Sequence, residues 1–264
     1  MRLPERFMYY VYRCNSETNN NNDFLIASII IRRVTRNEDL SIEAVANEAN
    51  TSQASVSRYI RKMGFTGWQD FRDNCNGATK EMLSKRKLQA EKIRGNKSKE
   101  EIARDLCKNA CDNIMATLES FDIKRIEEII NLLVNAKKVF IVGDEHAQSN
   151  FYTFQLDLLF SGVPTFLYKN NEIQQLSANF AGEGSVVLFL NVEKNFIAPP
   201  QVELLKNMKK NGAKLVAFFQ QDEADLGIFD LTMKYGIAGS FNDGYYSLFV
   251  LAQIMSEYLI CSER

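Results

Sequence analysis

Short apolar runs alternate with helical patterns through the second half of the chain, and this alternation constrains the fold more than any other feature. Five runs, rich in β-branched and aromatic residues, are predicted as strands that are buried on both faces. They cover residues 138–143, 164–168, 185–191, 214–219 and 230–235. Helical patterns lie between them near residues 147–161, 171–180 and 200–211, and a long closing helix is predicted for residues 244–261. The alternation predicts an α/β fold with a five-stranded, parallel, doubly wound sheet.

The first half of the chain contains two short helical patterns joined by a tight turn, between Ser41 and Lys62. Each pattern places apolar residues on one face at helical spacing. These residues are Ile42, Val45, Ala46 and Ala49 before the turn, and Val56, Tyr59, Ile60 and Met63 after it. Asn50 lies where the turn needs a left-handed residue, and Ser52 is placed to cap the second helix. The pattern predicts a helix-turn-helix, whose second helix enters the major groove of DNA.

Polar side chains that lie off this apolar face form the candidate DNA-binding set. They are Ser41, Thr51, Ser52, Gln53, Ser55, Ser57, Arg58, Arg61 and Lys62. Gln can pair with adenine edges, Ser and Thr can reach bases or phosphates, and the basic residues are expected to hold phosphates. The alternative is a helical hairpin with an ordinary solvated face, and the pattern alone leaves this alternative open.

The charges of the chain are divided unevenly, although its net charge is only −1. Residues 1–94 carry 16 basic and 11 acidic side chains, an excess of +5, whereas the remainder carries 16 and 22, an excess of −6. A basic excess at the end that contains the helix-turn-helix is the electrostatic footprint of DNA binding. Because the excess is modest, we expect affinity for double-stranded DNA to require a homodimer or a dimer of dimers.

The cysteines and the single histidine indicate in which cellular compartment the protein works and whether it can hold a metal ion. Five scattered cysteines (Cys14, Cys75, Cys107, Cys111 and Cys261) predict reduced thiols rather than a disulfide framework. A zinc site would lack ligands because His146 is the only histidine, so neither a metal nor a cofactor is predicted. No apolar run approaches the roughly 18 residues that suggest a spanning helix, and the start of the chain has no signal-peptide core. The expected location is the cytoplasm.

The composition of the chain predicts three parts. Residues 23–36 have the pattern of a further helix that precedes the helix-turn-helix. Gly64 is expected to end the second helix of the helix-turn-helix. Residues 80–97 are rich in Lys, Glu, Arg and Gln, which indicates an exposed helix or linker. The predicted parts are a DNA-binding domain over residues 1–80, a helical linker over 81–118 and an α/β effector or dimerisation domain over 119–264.

Several short motifs, in this order, resemble a known family. The N-terminal segments Val56-Ser57-Arg58, Met63-Gly64-Phe65 and Gly67-Trp68-Gln69-Asp70-Phe71 resemble the RpiR family of bacterial transcription regulators. The C-terminal part, in which residues 136–139 lead into the first strand, resembles the sugar isomerase (SIS) domain of such regulators. The resemblance implies a helix-turn-helix that binds an operator and a C-terminal domain that senses a phosphosugar.

The phosphosugar motifs of that domain are altered in this chain. The family pattern after the first strand is Gly-x-Gly-x-Ser, and here Gly143 is kept whereas Glu145 and Ala147 replace the other two residues. After the third strand the pattern is Ser-x-Ser-Gly-x-Thr, and here Asn191, Glu193, Lys194 and Phe196 occupy the four positions. A carboxylate about 4 Å from a phosphate charge costs roughly 4 kcal/mol at an effective dielectric near 20. We therefore expect that the domain does not bind sugar phosphates in the usual manner.

The crevice beyond the strand ends has three interpretations. Open α/β sheets bind ligands there, and the candidate ligand-binding residues are Gly143, Asp144, Glu145, His146, Asn191 and Glu193. Their acidic character would favour a cationic or amino group. The alternatives are solvated loops in a domain kept for dimerisation, and a residual, atypical response to phosphosugars.

Two further classes of function compete with the regulator. A sugar-phosphate isomerase would use Glu145 and His146 as acid and base, yet the chain lacks the phosphate grip that would hold its substrate. A protein-interaction scaffold would have no need for the polar set between Ser52 and Lys62. The sequence therefore favours a regulator that is not an enzyme.

Overall fold

The computed structural model describes residues 22–36, 38–63, 65–168, 171–192, 197, 199–220, 227–237 and 243–262. The chain divides into two compact units, Met1–Ser98 and Lys99–Arg264. Gly64, Glu193, Lys194 and Phe196, which entered the sequence predictions, lie outside the described residues.

The first unit is helical. Its described helices are α1 (Asn22–Arg36), α2 (Ile42–Glu48), α3 (Gln53–Lys62) and α4 (Trp68–Arg94). One apolar core joins them, and the residues that the sequence placed on the inner faces of α2 and α3, such as Val45, Val56 and Ile60, are fully buried in it. Phe71 is buried with them, and Trp68 packs against the core from its margin.

Local side-chain chemistry sets the ends of the two central helices. The hydroxyl of Ser41 accepts a hydrogen bond from the Ala44 N–H at 3.2 Å, and the hydroxyl of Ser52 accepts one from the Ser55 N–H at 3.1 Å. Both serines therefore act as N-caps. Asn50 adopts a left-handed conformation with φ of 47°, as predicted for the turn. Ala46 is buried between the helices, where its small side chain permits a close crossing.

The second unit contains a parallel sheet with helices on both faces. Its described elements, in chain order, are α5 (Lys99–Glu119), α6 (Ile123–Val134), β1 (Lys138–Gly143), α7 (Glu145–Ser149), α8 (Tyr152–Phe160), β2 (Thr165–Leu167), α9 (Asn171–Ser177), β3 (Ser185–Asn191), α10 (Pro199–Lys210), β4 (Lys214–Phe219), β5 (Leu231–Lys234) and α11 (Asp243–Ser262). The strand order is β2-β1-β3-β4-β5, and all pairs are parallel. The predicted five-stranded, doubly wound sheet is confirmed.

Two apolar cores cover the two faces of this sheet. One contains residues of α6, α7, α8 and α11, together with alternate strand residues such as Val139 and Leu188. The other contains residues of α10, together with the remaining strand residues such as Phe140 and Phe189. Strands buried on both faces explain why each one reads as a continuous apolar run.

Helix α5 belongs to the second unit because a buried polar cluster attaches it there. The Asn113 side chain donates to the Ile237 carbonyl at 2.8 Å and accepts from the Ser247 hydroxyl, and the Thr117 hydroxyl accepts from the Gly236 N–H at 3.0 Å. We call these five residues the α5 anchor. The predicted linker over residues 81–118 is thus divided in the structure, since α4 runs to Arg94 in the first unit and α5 packs against α11.

Four of the cysteines lie in the described part of the chain, and all four are free. Cys75 is buried, whereas Cys107, Cys111 and Cys261 are exposed. The described residues contain no group of three or more His, Cys, Asp or Glu side chains suited to a metal ion. Within the same residues, none of the helices combines the length and the apolar character that crossing a membrane requires.

Candidate DNA-binding surface and strand-end crevice

Helix α3 carries most of the candidate DNA-binding set on its solvent side. Gln53, Arg58 and Arg61 are exposed, and Ser55 and Ser57 are half-buried. The side chains at its start form a small network, in which the hydroxyls of Ser52 and Ser55 lie 3.0 Å apart and Arg58 donates to the Ser55 hydroxyl at 3.1 Å. The network holds the guanidinium close to the first turn of the helix.

Two members of the candidate set also serve the fold of the unit. Lys62 forms an ion pair with Asp23 of α1, with 2.6 Å between the ammonium nitrogen and the carboxylate oxygen. Ser41 lies at the start of α2, not on α3, and its hydroxyl caps that helix. Thr51 precedes α3 and is half-buried in the turn. The structure therefore brings together the residues from Ser52 to Arg61 and places Ser41 on the neighbouring helix.

Charged side chains also join α1 to α2. Arg32 and Arg33 both pair with the carboxylate of Glu48, and the Arg33 Nε atom lies 3.1 Å from Glu48 Oε2. Burial alone would raise the pKa of Glu48, but the two guanidiniums outweigh it and lower that pKa below its ordinary value. The carboxylate is therefore held ionised between the two helices.

The sequence reasoning did not consider the start of α4, which follows α3. The Thr66 N–H and hydroxyl both donate to Asp70 Oδ2, at 2.9 and 3.1 Å, and Arg72 donates to the Gln69 side chain at 2.8 Å. Thr66, Gln69 and Arg72 are exposed, and α4 contacts α3. Thr66 and Asp70 lie on either side of the Gly67-Trp68 helix start, and this pair of polar residues was a signal that could have drawn attention to the turn.

At the strand-end crevice of the second unit, Gly143 is required by the backbone. A Cβ atom at this position would lie 2.7 Å from the Leu190 carbonyl oxygen, because β1 and β3 approach closely. The Gln174 side chain then engages the peptide groups of Gly143: its Nε2 donates to the carbonyl at 3.1 Å, and its Oε1 accepts from the N–H at 3.4 Å. The glycine amide already has a protein partner.

Asp144 occupies the start of α7 with its own carboxylate. Its Oδ1 accepts from the Ala147 N–H at 3.0 Å and from the Tyr245 hydroxyl at 3.3 Å. Burial raises the pKa of Asp144 above its ordinary value, and these hydrogen bonds and the nearby His146 oppose the rise only in part. Asp144 is thus an N-cap, a role that the sequence reasoning did not give it.

The other crevice residues differ widely in exposure. Glu145 is half-buried, and among the described residues no group donates to its Oε2 atom. His146 is exposed, and its ring meets that of Tyr245 edge to face with 5.8 Å between the centroids. Asn191 is buried, and its carbonyl accepts from the Tyr235 hydroxyl at 3.0 Å. Burial, with the nearby charge of Asp144, raises the pKa of Tyr235 above its ordinary value, so this phenol remains a donor.

Comparisons with known proteins agree with this architecture. Residues 12–80 match the family model described as a helix-turn-helix domain of the rpiR family. An uncharacterized HTH-type transcriptional regulator, CPE0189 of Clostridium perfringens, is 20% identical over 228 residues, which are 83% of this chain and 80% of that protein. The bifunctional protein glk of Burkholderia thailandensis is 24% identical over 181 residues, 66% of this chain, and the match spans only 26% of that protein's length.

Solved structures show the same fold. The Vibrio vulnificus NanR protein complexed with ManNAc-6P superposes with a TM-score of 0.54 at 16% identity, covering 99% of this chain and 92% of that one. The sugar isomerase domain of an RpiR transcription factor from Sphaerobacter thermophilus superposes with a TM-score of 0.53 at 14% identity, covering 61% of this chain and 90% of that one. The chain is a DNA-binding transcription regulator with an N-terminal helix-turn-helix domain of the rpiR family and a C-terminal domain of the SIS fold.

Proposed function

We propose that a homodimer of this chain recognises a two-fold symmetric operator, with helix α3 of each copy in the major groove. The observation that carries the proposal is the exposed polar side of α3, where Gln53 and Arg58 flank the Ser52 cap while the opposite side is buried. Each chain offers one such helix, so two copies would read half-sites separated by about one helical turn of DNA, roughly 34 to 36 Å, or a multiple of it.

The side chains of the surface would have different roles. Gln53 is exposed at the first residue of α3, the position from which an amide reaches a base edge, and we assign it adenine readout. Arg58 and Arg61 would hold phosphates and give affinity without sequence preference. Lys62 would contact a phosphate, and so add to the affinity, only if its ion pair with Asp23 opened. Ser41 and Thr51 would contact the backbone beside the groove.

Binding-site selection from a random pool, followed by mobility-shift titrations at two salt concentrations, tests the proposal. Arg58→Ala should weaken binding to all sequences and reduce the salt slope by about one. Gln53→Ala should instead relax the preference at one base pair, by about 1 to 3 kcal/mol of discrimination. Arg125→Ala, which removes a partly exposed arginine of α6 that pairs with Glu128, is the charge-matched control and should change neither quantity. An unaltered preference profile for Gln53→Ala would refute the assignment.

For the second unit, we propose that the crevice does not hold a sugar phosphate in the usual manner. The Asp144 carboxylate engages the amides at the start of α7, and Gln174 engages the amide of Gly143. A phosphate placed there would meet a half-buried carboxylate instead of free N–H donors, and the half-buried Glu145 would add repulsion. The domain would serve dimerisation, and regulation would act by a change in the spacing of the two recognition helices.

The similarity to a NanR protein solved with ManNAc-6P favours an alternative, in which a phosphosugar acts at an atypical site. Thermal-shift titrations with ManNAc-6P and inorganic phosphate at low millimolar concentration separate the two. A rise in melting temperature with the sugar phosphate would overturn the proposal.

Two other readings of the crevice depend on Glu145 and His146. They could act as acid and base of an isomerase, or with Asp144 they could bind an amino compound. Turnover of a sugar phosphate that Glu145→Gln abolishes would establish the enzyme. Stabilisation by small amines that the same variant removes would establish the cationic ligand.

A further inference from the structure

Two exposed cysteines lie on one face of helix α5, about one turn apart. Cys107 and Cys111 are separated by four positions within the uninterrupted helix Lys99–Glu119, and both thiols are free. Residues with this spacing are neighbours on a helix surface, with about 5 to 6 Å between their Cβ atoms. We call Cys107 and Cys111 the α5 thiol pair.

The α5 anchor fixes the direction in which the α5 thiol pair points. Asn113 and Thr117 are the buried residues of α5 and mark its inner side. At about 100° per residue, Cys111 lies roughly 140° and Cys107 roughly 100° around the helix from the middle of that side. Both thiols are therefore presented to solvent, in agreement with their exposure.

The spacing of the α5 thiol pair suits one shared ion better than a bond between the two sulfurs. A disulfide requires Cβ atoms about 3.5 to 4.5 Å apart, so closing one here would distort the helix. Two thiolates that share an ion, each about 2.3 Å from it, can lie up to about 4.6 Å apart. The two sulfurs can reach this separation by rotation of their side chains, so the helix backbone need not change.

The number and the kind of ligands select the ion. Zn²⁺ is almost always four-coordinate in structural sites, and the described residues contain no group of three or more His, Cys, Asp or Glu side chains that includes the pair. The exposed thioether of Met115 lies about 9 Å along the helix axis from the midpoint of the pair, too far to complete the site. Thiolates select soft ions such as Cu(I), for which two of them form a complete set of ligands.

We propose that the α5 thiol pair binds one soft monovalent ion of the Cu(I) type between its two sulfurs. A bond to the ion replaces the proton of each thiol, so two protons are released and the complex carries one negative charge. An exposed basic residue precedes each cysteine by three positions on the same face, Arg104 before Cys107 and Lys108 before Cys111. These cations offset the charge of the complex, whereas the nearest acidic residues are one or two positions away and face other sides of the helix.

Ion binding would order the first half of α5. Residues 99–110 are all described, and none of them is buried, so this half of the helix gains little from packing. A short helix without such packing is marginal in water, and an ion that joins two residues across one turn stabilises the helical state. The chain enters the second unit through this half. The α5 thiol pair would thus make the order of the entering helix depend on the level of a soft ion.

Anaerobic titration of the full, reduced chain with Cu(I), in competition with a chromogenic Cu(I) chelator, tests the proposal. The background is a double variant, Cys14→Ser with Cys261→Ser, which keeps the pair and the buried Cys75 and should bind one ion per chain. In this background Cys107→Ser and Cys111→Ser should each raise the dissociation constant by about 100-fold or more, because a single thiol lacks the effective concentration of the second.

A matched control and a second measurement complete the test. Met115→Leu removes the neighbouring sulfur of the same helix and should leave the affinity unchanged. Hydrogen exchange followed by mass spectrometry should be slower in residues 99–111 when the ion is bound, and Cys111→Ser should abolish this difference. Equal affinity of the background and the two cysteine variants would overturn the site. Tight binding to the pair without slower exchange would overturn the ordering of α5.

Discussion

Replacing Asn113 by alanine should destabilise the second unit strongly, because this side chain is the centre of the α5 anchor. Asn113 is 4% exposed, and it bonds both to the Ile237 carbonyl at 2.8 Å and to the Ser247 hydroxyl. The substitution leaves the fully buried Ser247 hydroxyl without its acceptor, removes a hydrogen bond from the part-buried Ile237 carbonyl, and leaves a small cavity. The same crowding makes Gly236 intolerant of a side chain, since a Cβ there would lie 2.2 Å from Asn113 Oδ1.

The magnitude follows from the two groups that lose their partner. A buried donor left unsatisfied costs about 1 to 3 kcal/mol, and the hydrogen bond lost by the part-buried carbonyl is worth about 0.5 to 1.5 kcal/mol, so together they predict about 1.5 to 4.5 kcal/mol. If Ser247 is replaced by alanine in addition, its hydroxyl no longer needs a partner. The double variant should therefore be more stable than the sum of the single effects predicts, by about 1 to 2 kcal/mol.

Urea unfolding of the full chain, followed by circular dichroism and by tryptophan fluorescence, measures this effect. The only tryptophan, Trp68, lies in the first unit and acts as an internal control, since its transition should not move. Asn131→Ala, on the exposed side of α6, is the matched substitution and should cost less than about 0.5 kcal/mol. A loss below about 0.5 kcal/mol for Asn113→Ala would refute the assigned role of the anchor.

Three further predictions concern titratable groups. Glu48 has a lowered pKa, so its ion pairs stabilise the first unit at pH values above the ordinary glutamate pKa, and this stability is lost as the pH falls through the lowered pKa. Glu48→Gln should therefore make the free energy of unfolding, followed by Trp68 fluorescence, depend less on pH in the acid range. Asp144 has a raised pKa, so its ionised form lowers the free energy of unfolding at neutral pH. Asp144→Asn keeps an acceptor for the cap and should unfold at an equal or higher urea concentration at pH 7. A decrease in the free energy of unfolding by more than about 1 kcal/mol would contradict this. Burial raises the pKa of the Cys75 thiol to about 12, so iodoacetamide at neutral pH should modify the exposed cysteines of α5 and α11 and leave Cys75 intact until the chain unfolds, as peptide mass spectrometry would show.

The sequence predicted those features that depend on local patterns. The Ser52 cap, the left-handed Asn50 and the five strands follow from side-chain chemistry and spacing within a few residues. The helix predicted near residues 147–161 is two helices in the structure, since α7 ends at Ser149 and α8 begins at Tyr152. Periodicity did not show this interruption, because the apolar pattern continues through Phe151, which is buried.

Features that depend on distant partners could not be predicted in the same way. Asp144 was grouped with ligand-binding residues, yet its environment depends on Tyr245, which lies 101 positions along the chain. The inner side of α5 includes Asn113 and Thr117, polar residues that read as solvent-exposed until their partners near Gly236 are known. The assignment of individual residues to DNA or ligand contacts stays a prediction from the motif.

The start of α7 is capped by a carboxylate of the chain itself, not by an anion from solution. The carboxylate of Asp144 is supplied by the chain itself, so its local concentration is fixed by covalent connection and not by the metabolite pool. A dissolved anion stabilises a folded protein in proportion to the logarithm of its excess over the dissociation constant, whereas a tethered acceptor contributes the same amount at every anion level. The Asp144 cap therefore orders this helix start without a bound anion.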